Sequence, residues 1–354
     1  VQTASELHDQ HDTLLYVLTS GSTGQPKAVA ASEKRLTGML RAIHTSQHLE
    51  TVNSVLACLP LGFSSGLINQ LLWALYKGRA LHLPGDVISP VTLLSAADQL
   101  GSEMLCFVNT QIKMVARLCS DEMAPLENVK VVNFSGESFP ESHYAFLKTM
   151  FPNARLYNNY GCTEAMPRIS VRDVTVASQS LSENVGSCIE GTTLRIEGNQ
   201  PVGPLEFRSP WSAIGYLNES GDLTHFGEWV ASGDAGRIID GELHLSGRCD
   251  QLVKLGGERH SLKEVELAAT KAGFQGAVAM LDEEKLTLIV HATGADHSNK
   301  IRTLRSLISP ILRPAKIYRR SNWPLLANGK VDRQQVVLNY RELSDHQERI
   351  WPSR

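Results

Sequence analysis

Short apolar runs that alternate with longer segments of helical period are the feature that most constrains this fold. From Leu14 to about Tyr157 the apolar runs are LLYVL, VLACL, ALHL, MLCFV and VKVVNF, and the segments between them repeat apolar residues about every 3.6 positions. Strands that alternate with helices in this way pair mostly in parallel, because each helix carries the chain back across a face of the sheet. The pattern predicts an α/β fold with a mostly parallel, helix-covered sheet.

The sequence pattern changes beyond Val185, where short strand-like runs are interrupted by Gly and Pro. Such punctuation is typical of a small antiparallel sheet or barrel, which we expect over about residues 185–247. After Gly247 helical and strand patterns mix again. We therefore predict an N-terminal domain over residues 1–247 and a small, mobile C-terminal α+β domain over residues 248–354.

Specific elements are predicted in that C-terminal domain. Ser261 and Glu264 are spaced as a capping box that opens a helix through about Ala272. Two strands are expected to follow, near Gly276–Leu281 and near Leu286–His291.

Composition excludes several classes of protein. The chain has 354 residues, of which 42% are hydrophobic and 20% charged, as in an average globular domain and unlike disordered, collagen-like or disulfide-scaffold chains. Its 34 basic and 37 acidic residues give a net charge of -3, which lacks the positive charge of a dedicated nucleic-acid binder. No apolar run approaches the ~18 residues of a membrane helix. The cysteines form no C-x-x-C pair, so we expect reduced thiols. Together, the lack of a membrane-helix run and the reduced thiols lead us to expect a cytoplasmic protein without membrane insertion.

A Ser/Thr/Gly-rich loop directly after the first apolar run is the strongest local motif. It reads Thr19-Ser20-Gly21-Ser22-Thr23-Gly24-Gln25-Pro26-Lys27. Glycines let the backbone curl, hydroxyls and amides can donate to phosphate oxygens, and the lysine adds a positive charge. The loop is no Walker A motif, because Pro26 stands where that motif requires glycine. A phosphate cradle is one interpretation, and a turn without a ligand is the other.

Four further motifs follow in chain order. They are Tyr160-Gly161-Cys162-Thr163-Glu164, Ser232-Gly233-Asp234, Gly247-Arg248-Cys249-Asp250 with Lys254, and Asn328-Gly329-Lys330-Val331-Asp332-Arg333. Together with the loop, they make the chain resemble the adenylate-forming superfamily of acyl- and aryl-CoA synthetases, nonribosomal-peptide adenylation domains and firefly luciferase. The resemblance implies that a carboxylic acid is activated as an acyl-adenylate, with release of pyrophosphate, and is then transferred to a thiol.

One departure from the family concerns the residues before the loop. Members usually carry a sizeable N-terminal lobe there, whereas only a short leader precedes Thr19. The resemblance therefore implies either a naturally short member or a partial chain.

The resemblance assigns ATP and Mg²⁺ as cofactors and gives individual residues roles. Glu164 matches the metal ligand, Asp234 the ribose-binding carboxylate, Tyr160 the aromatic that stacks on adenine, and Lys330 the lysine that bridges the acid and the α-phosphate. Arg248 would reach the ribose or a phosphate, so Lys330, Glu164 and Arg248 are the catalytic candidates. The full ATP-binding set is Thr19, Ser20, Gly21, Ser22, Thr23, Gly24, Lys27, Gly136, Glu137, Ser138, Asn159, Tyr160, Gly161, Thr163, Asp234 and Arg248.

The resemblance also implies a change between two half-reactions. Asp250 matches the hinge about which the C-terminal domain rotates. Lys330 would serve adenylation, and the segment with Lys254, Gly256 and Gly257 would then serve attack by a slender pantetheine arm. A simple β-turn is the alternative interpretation of that segment.

Phe63 and Ser64 match the family's substrate-proximal turn, to which Asn109 and Ser135 add polar candidates. Amino-acid-activating members carry aspartate where Ser64 stands, and an α-ammonium buried without a carboxylate is costly. We therefore expect an aryl or short acyl acid rather than an amino acid. No carrier domain follows Arg333, so the expected acceptor is CoA or a separate carrier protein.

Two other functions compete with this interpretation. Gly62-Phe63-Ser64-Ser65-Gly66 fits the G-x-S-x-G pattern of serine hydrolases, with Ser64 as nucleophile. A homologue that binds adenine nucleotide without turnover is the other alternative. His44 and His48 lie four apart on an expected helix, but Thr45 replaces the glutamate of a zinc-binding H-E-x-x-H motif, so surface histidines are expected.

Overall fold

The computed structural model describes most of the chain. The described residues are 13–19, 27–84, 89–118, 124–136, 139, 141–176, 183–199, 202–218, 220–255, 258–282, 285–293, 297–325, 331–340 and 349–351. They form two compact units, Val1–Ser232 with Gly236–Leu245 and Gly233–Ala235 with Ser246–Arg354.

A seven-stranded sheet forms the centre of the first unit, in the order β4-β3-β5-β6-β7-β8-β9. Neighbours from β4 to β7 pair in parallel, whereas β8 and β9 are antiparallel additions. The predicted parallel sheet is therefore confirmed. The strands are β3 Ser54–Leu56, β4 Ala80–His82, β5 Met104–Phe107, β6 Val131–Ser135, β7 Arg155–Tyr160, β8 Ser170–Asp173 and β9 Ser187–Cys188.

Helices cover both faces of this sheet. Alternate strand residues point to opposite faces, so Val132 and Leu156 enter one apolar core while Val131 and Tyr157 enter the other. The helical elements are α1 Glu33–Ser46, α2 Ser64–Gly66, a π-helical stretch Leu67–Leu72, α3 Trp73–Lys77, α4 Pro90–Gln99, α5 Asn109–Leu118 and α6 Tyr144–Met150. Helices α4, α5 and α6 pack on one face, whereas α1, the π-helical stretch and α3 pack on the other.

The first apolar run does not join the parallel sheet. It forms β1 (Thr13–Thr19), which pairs antiparallel with β2 (Lys27–Ser32) in a separate sheet of order β1-β2-β12-β13. The other two strands are β12 (Gly215–Leu217) and β13 (Leu223–His225). The prediction of a parallel strand was wrong for this run, because the alternating exposure of its side chains is that of a sheet with one covered face.

The region beyond Val185 forms the predicted antiparallel architecture. A four-stranded sheet has the order β10-β11-β14-β15, and β10 pairs antiparallel with β11. Its strands are β10 Thr193–Ile196, β11 Gly203–Arg208, β14 Val230–Ile239 and β15 Glu242–Arg248.

The second unit has the predicted α+β composition. A β16-β17 hairpin precedes a four-stranded sheet of order β18-β19-β20-β21, on which α7 and α8 pack. The elements are β16 Leu252–Leu255, β17 Glu258–Ser261, α7 Leu262–Lys271, β18 Gly276–Asp282, β19 Lys285–His291, α8 Ser298–Leu307, β20 Lys316–Arg320, α9 Arg333–Tyr340 and β21 Arg349–Trp351.

Two local predictions require correction. Ser261 caps α7 by accepting from Lys263 N at 3.2 Å, and the reciprocal bond that defines a capping box, from the Ser261 N–H to the Glu264 carboxylate, is not formed. Helix α1 ends at Ser46, so His48 lies beyond it with a left-handed φ of 51° and shares no helical face with His44. Within the described ranges, no helix combines the length and apolar character needed to cross a membrane.

Candidate functional site

Predicted site residues meet at the carboxyl ends of the parallel strands, where α/β sheets commonly bind ligands. Ser135, the last residue of β6, pairs in register with Asn159 of β7. Gly136 follows with a φ of +79°, a conformation that glycine adopts without strain. Asn109 begins α5, two residues beyond the end of β5, and its buried Oδ1 has no hydrogen-bond partner among the described residues. The sheet thus brings two candidates for binding the acid, Asn109 and Ser135, to the same edge as two candidates for binding ATP, Gly136 and Asn159.

A tight turn after β7 carries Thr163 and Glu164. A short 3-10 helix, Thr163–Ala165, follows Gly161, and a Cβ on Gly161 would overlap the carbonyl oxygen of Pro167. Only glycine fits such a close backbone approach. This contact fixes the path by which the two side chains leave the sheet.

Glu164 is held by a residue that the sequence did not indicate. The hydroxyl of Tyr216, on β12, donates to Glu164 Oε1 at 2.6 Å. Lys27 Nζ lies 4.9 Å from the centroid of the same tyrosine ring, within range of a cation–π contact. The adjacency arises because β12 pairs with β2, which begins at Lys27. Burial, and then the hydrogen bond to Glu164, raise the pKa of Tyr216, so its hydroxyl stays protonated as a donor.

This cluster suits Mg²⁺ bound together with a nucleotide. Mg²⁺ is usually held by one or two carboxylates plus substrate phosphates rather than by a cage of protein ligands. The described residues contain no group of three or more His, Cys, Asp or Glu side chains that would form such a cage. Glu164 Oε2 has no hydrogen-bond or ion-pair partner among them. The carboxylate therefore fits a single-ligand metal role.

On the acid side, Ser64 lies next to the same turn. Ser64 Oγ and Thr163 Oγ1 are 3.3 Å apart, while Phe63 is 48% exposed. In the described part of the chain, Thr163 is the side-chain partner of Ser64, and neither a histidine nor a carboxylate contacts it. A serine nucleophile needs a base within hydrogen-bond reach, so the G-x-S-x-G interpretation loses its support.

Beneath these residues lies a buried polar network that the sequence analysis missed. Gln47 Nε2 donates to Asn133 Oδ1 at 2.6 Å and to Asn159 Oδ1 at 2.8 Å. Arg168 also donates to Asn159 Oδ1, and its Nη2 donates to Asn69 Oδ1 at 3.1 Å. Asn159, predicted to bind ATP, is 4% exposed, and its side chain serves this network. No local sequence motif indicates this network, because its members come from separate elements.

In the second unit, Asp234 and Arg248 form an ion pair. Arg248 Nη1 lies 3.4 Å from Asp234 Oδ1, and Cys249 Sγ donates to Asp234 O at 3.1 Å. Gly233 has a φ of +78°, and a Cβ there would lie 3.0 Å from the guanidinium. Residues from two separate motifs are thus adjacent.

For the remaining predicted residues, the structure gives a position in the fold or does not describe them. Tyr160 is 7% exposed and packs in an apolar cluster with Ile169 and Phe207. Thr19 pairs with Lys27 at the ends of β1 and β2, and these two residues flank the predicted cradle in the sequence. Asp250 lies in a 3-10 turn, and Lys254 lies in β16. Outside the described residues lie Ser20, Gly21, Ser22, Thr23, Gly24, Glu137, Ser138, Gly256, Gly257 and Lys330.

Comparisons by sequence find similar proteins. A family model described as AMP-binding enzyme matches residues 2–217. The D-alanine–D-alanyl carrier protein ligase of Bacillus licheniformis is 30% identical over 361 residues, a match that covers 92% of this chain and 70% of that protein.

Solved structures show the same fold. The anthranilate CoA ligase AuaEII, in complex with anthranoyl-AMP, has a TM-score of 0.79 at 21% identity, over 94% of this chain and 69% of that chain. The o-succinylbenzoate CoA synthetase of Bacillus subtilis, in complex with ATP and magnesium, has a TM-score of 0.79 at 20% identity, over 91% and 69% of the two chains.

Proposed function

Because this chain belongs to the family of AMP-binding enzymes, we propose that it activates an aryl or short acyl acid as its adenylate and passes the acyl group to CoA or a carrier-protein thiol. The protein is an acid–thiol ligase that performs ATP-dependent acid adenylation and thioester transfer, with ATP and Mg²⁺ as cofactors. The resemblance inferred from the sequence is confirmed. The class of acid, the acceptor and the roles of individual residues are proposals.

The observation that carries the proposal is the turn at Thr163 and Glu164. Thr163 contacts Ser64, which with Phe63 forms the candidate acid segment. Glu164 contacts Tyr216, whose ring lies beside Lys27 at the end of the candidate phosphate loop, residues 19–27. Joining a carboxylate to a phosphate brings two anions together, so such a site must neutralise charge rather than supply a nucleophile. A carboxylate suited to Mg²⁺ beside a lysine meets that requirement.

In the first half-reaction, a carboxylate oxygen of the acid attacks the α-phosphorus of ATP while the bond to the bridging oxygen breaks and pyrophosphate leaves. Lys27 and the loop before it are proposed to hold the β- and γ-phosphates. Glu164 is proposed as the protein ligand of Mg²⁺, which when bound supplies positive charge at the phosphates. Tyr216 keeps that carboxylate in one orientation.

In the second half-reaction, a thiolate attacks the acyl carbon and AMP leaves with the electron pair of the broken C–O bond. We retain as proposals the ribose contact of Asp234, the phosphate or ribose contact of Arg248, adenine stacking on Tyr160, and adenylation by Lys330. Rotation of a domain of residues 248–354 about Asp250, with Lys254, Gly256 and Gly257 then serving the thiol step, is also a proposal.

The proposed acid lacks an α-ammonium group. The Bacillus licheniformis relative is named for D-alanine, but the surroundings of Ser64 in this chain offer no negative charge within hydrogen-bond distance among the described residues. An ammonium desolvated there would have no counter-charge, which costs several kcal/mol. Because the reaction consumes ATP, we propose that the enzyme works in the cytoplasm.

Acid-dependent ATP–pyrophosphate exchange tests the proposal. We expect exchange with members of a panel of aryl and short acyl acids and weaker exchange with amino acids. Amino acids that outperform every other acid would contradict the proposed substrate class. Silence across the panel, in folded protein that still binds ATP, would favour a nucleotide-binding module without turnover.

A further inference from the structure

Within the described ranges, two Lys, Arg, Asp or Glu side chains are buried, Glu266 and Arg168. They differ in whether a group of opposite charge lies beside them. Glu266 is 4% exposed and has opposite charge beside it, with Arg333 Nη1 at 2.6 Å and Lys263 Nζ at 4.0 Å. Arg168 is 2% exposed, and among the described residues its side chain donates only to the amide oxygens of Asn69 and Asn159. No described carboxylate pairs with Arg168.

The other described groups that interact with Arg168 are also neutral. The Cys106 thiol lies close enough to interact with its charge, but burial raises the pKa of Cys106 to about 12, so the thiol is uncharged at neutral pH. Asn159 connects the guanidinium to the amides of Gln47 and Asn133. Burial lowers the pKa of Arg168 to about 10, which still leaves it protonated at neutral pH. In the part of the chain that the structure describes, the network therefore encloses a positive charge with no opposite charge beside it.

Such an arrangement is costly unless an anion joins it. Removing an ion from water costs several kcal/mol, and hydrogen bonds to neutral amides recover only part of that free energy. A guanidinium offers five N–H donors in a planar fork, of which the structure gives side-chain acceptors to two. That fork matches the two oxygens of a carboxylate.

The network lies next to the candidate acid segment. Asn69 belongs to the π-helical stretch Leu67–Leu72, five residues beyond Ser64 in one continuous helical segment. At about 1.5 Å per residue, this separation is roughly 7 Å along the axis. On the other side, Asn159 pairs in register with Ser135. π-Helical turns are frequent at functional sites, and here one supplies an acceptor to Arg168.

We propose that Arg168 recognises a second carboxylate on the acid that is activated, so that the substrate is a short dicarboxylate or an aryl acid with a second carboxylate. The inference rests on the proposed function, because it concerns the acid used in the same adenylation. The contact is non-covalent and provides the guanidinium with the anion that the described residues do not supply.

The test compares matched acids in ATP–pyrophosphate exchange by the full chain. The pairs are succinate with butanoate, glutarate with pentanoate, and isophthalate with benzoate, and succinamate replaces the second carboxylate by a neutral amide. We expect at least one dicarboxylate to exceed its matched monoacid about 100-fold in kcat/KM, since hydrogen bonds to charged groups contribute about 1.5–3 kcal/mol.

Asn69→Asp is the decisive variant. It is nearly isosteric and places a carboxylate where an amide oxygen lies 3.1 Å from Arg168 Nη2. The internal anion should neutralise the guanidinium, reduce the dicarboxylate preference at least tenfold and raise the melting temperature. Asn128→Asp, on an exposed asparagine of the same unit whose side chain makes no hydrogen bond among the described residues, is the matched control and should change neither quantity. Arg168→Lys keeps the charge without the fork and should retain part of the preference.

Binding without turnover provides a second measurement. In thermal denaturation without ATP, the preferred dicarboxylate should raise the melting temperature of the wild type and should not raise that of Asn69→Asp. Exchange with monoacids that equals or exceeds exchange with dicarboxylates overturns this inference alone. An unchanged preference in Asn69→Asp also overturns it, whereas silence with every acid overturns the proposed function itself.

Discussion

Tyr216 shows how a single side chain outside every recognised motif can orient a site residue. Its hydroxyl is 2.6 Å from Glu164 Oε1, and its pKa is raised chiefly by burial, so it remains a donor to the carboxylate across the neutral range. The sequence around Tyr216 indicates only a short strand. Its partner lies 52 residues away, and such a contact depends on how strands pair rather than on local pattern.

Tyr216→Phe should therefore weaken Mg²⁺-dependent ATP use. The variant removes the hydrogen bond that orients the proposed Mg²⁺ ligand, and loss of such a partner typically costs about 10–100-fold in metal affinity or activity, so we expect the KM for MgATP to rise about tenfold or more. The ring remains, so its edge-to-face contact with Phe226 and the fold should persist. Tyr76→Phe, on a tyrosine that is 45% exposed, is the control, and equal effects of the two variants would contradict the role of Tyr216.

Ser64 makes the substrate class testable at one position. Ser64→Asp adds a negative charge beside Thr163, which could balance an α-ammonium group. We expect the ratio of amino-acid-dependent to benzoate-dependent exchange to rise at least tenfold. Ser95→Asp, on a residue of α4, is the control substitution. A ratio that stays at the wild-type value would separate Ser64 from acid selection.

At the scale of elements, buried strands were easier to predict than strands with one exposed face. The parallel strands β5 and β6 are buried along nearly their whole length, and their continuous apolar runs identified them. The side chains of β1 instead alternate between exposed and buried, with Leu14 and Leu18 exposed and Val17 buried. Its sequence does not indicate which sheet the strand joins. Pairing with β2 and β12 is decided by long-range contacts, so the prediction failed there.

The turn after β7 offers a prediction about an element. Gly161→Ala would force a Cβ into the carbonyl of Pro167, and overpacking of this kind typically costs about 1–3 kcal/mol. For a unit of this size we expect the melting temperature to fall by about 3–10 °C. Because the turn positions Thr163 and Glu164, exchange activity should fall as well. Gly227→Ala, where the added atom would lie 3.8 Å from the nearest neighbour, the carbonyl oxygen of Trp229, is the control and should leave both quantities near wild type.

At the scale of the whole molecule, the motifs are distributed over two compact units. Ser64, Thr163, Glu164 and Lys27 belong to the first, whereas Asp234 and Arg248 belong to the second. The sequence could order these motifs because each is a short local pattern. It could not indicate Arg168 or Gln47, since a buried arginine and a buried glutamine look like surface residues until their neighbours are known.

The proposed division of labour between half-reactions gives the last prediction, at Lys330. Negative charge builds up beside the proposed ammonium only while the acid and ATP are joined, so Lys330→Ala should reduce pyrophosphate exchange at least about 100-fold, a loss on the order of 3 kcal/mol. Transfer from preformed acyl-adenylate to a thiol should be spared, because that step releases AMP without forming a new phosphate bond. Lys285→Ala, on an exposed lysine of the same unit, controls for loss of surface charge. Both half-reactions are measured on one preparation of each variant, so equal losses in the two would assign Lys330 to binding or stability rather than to adenylation.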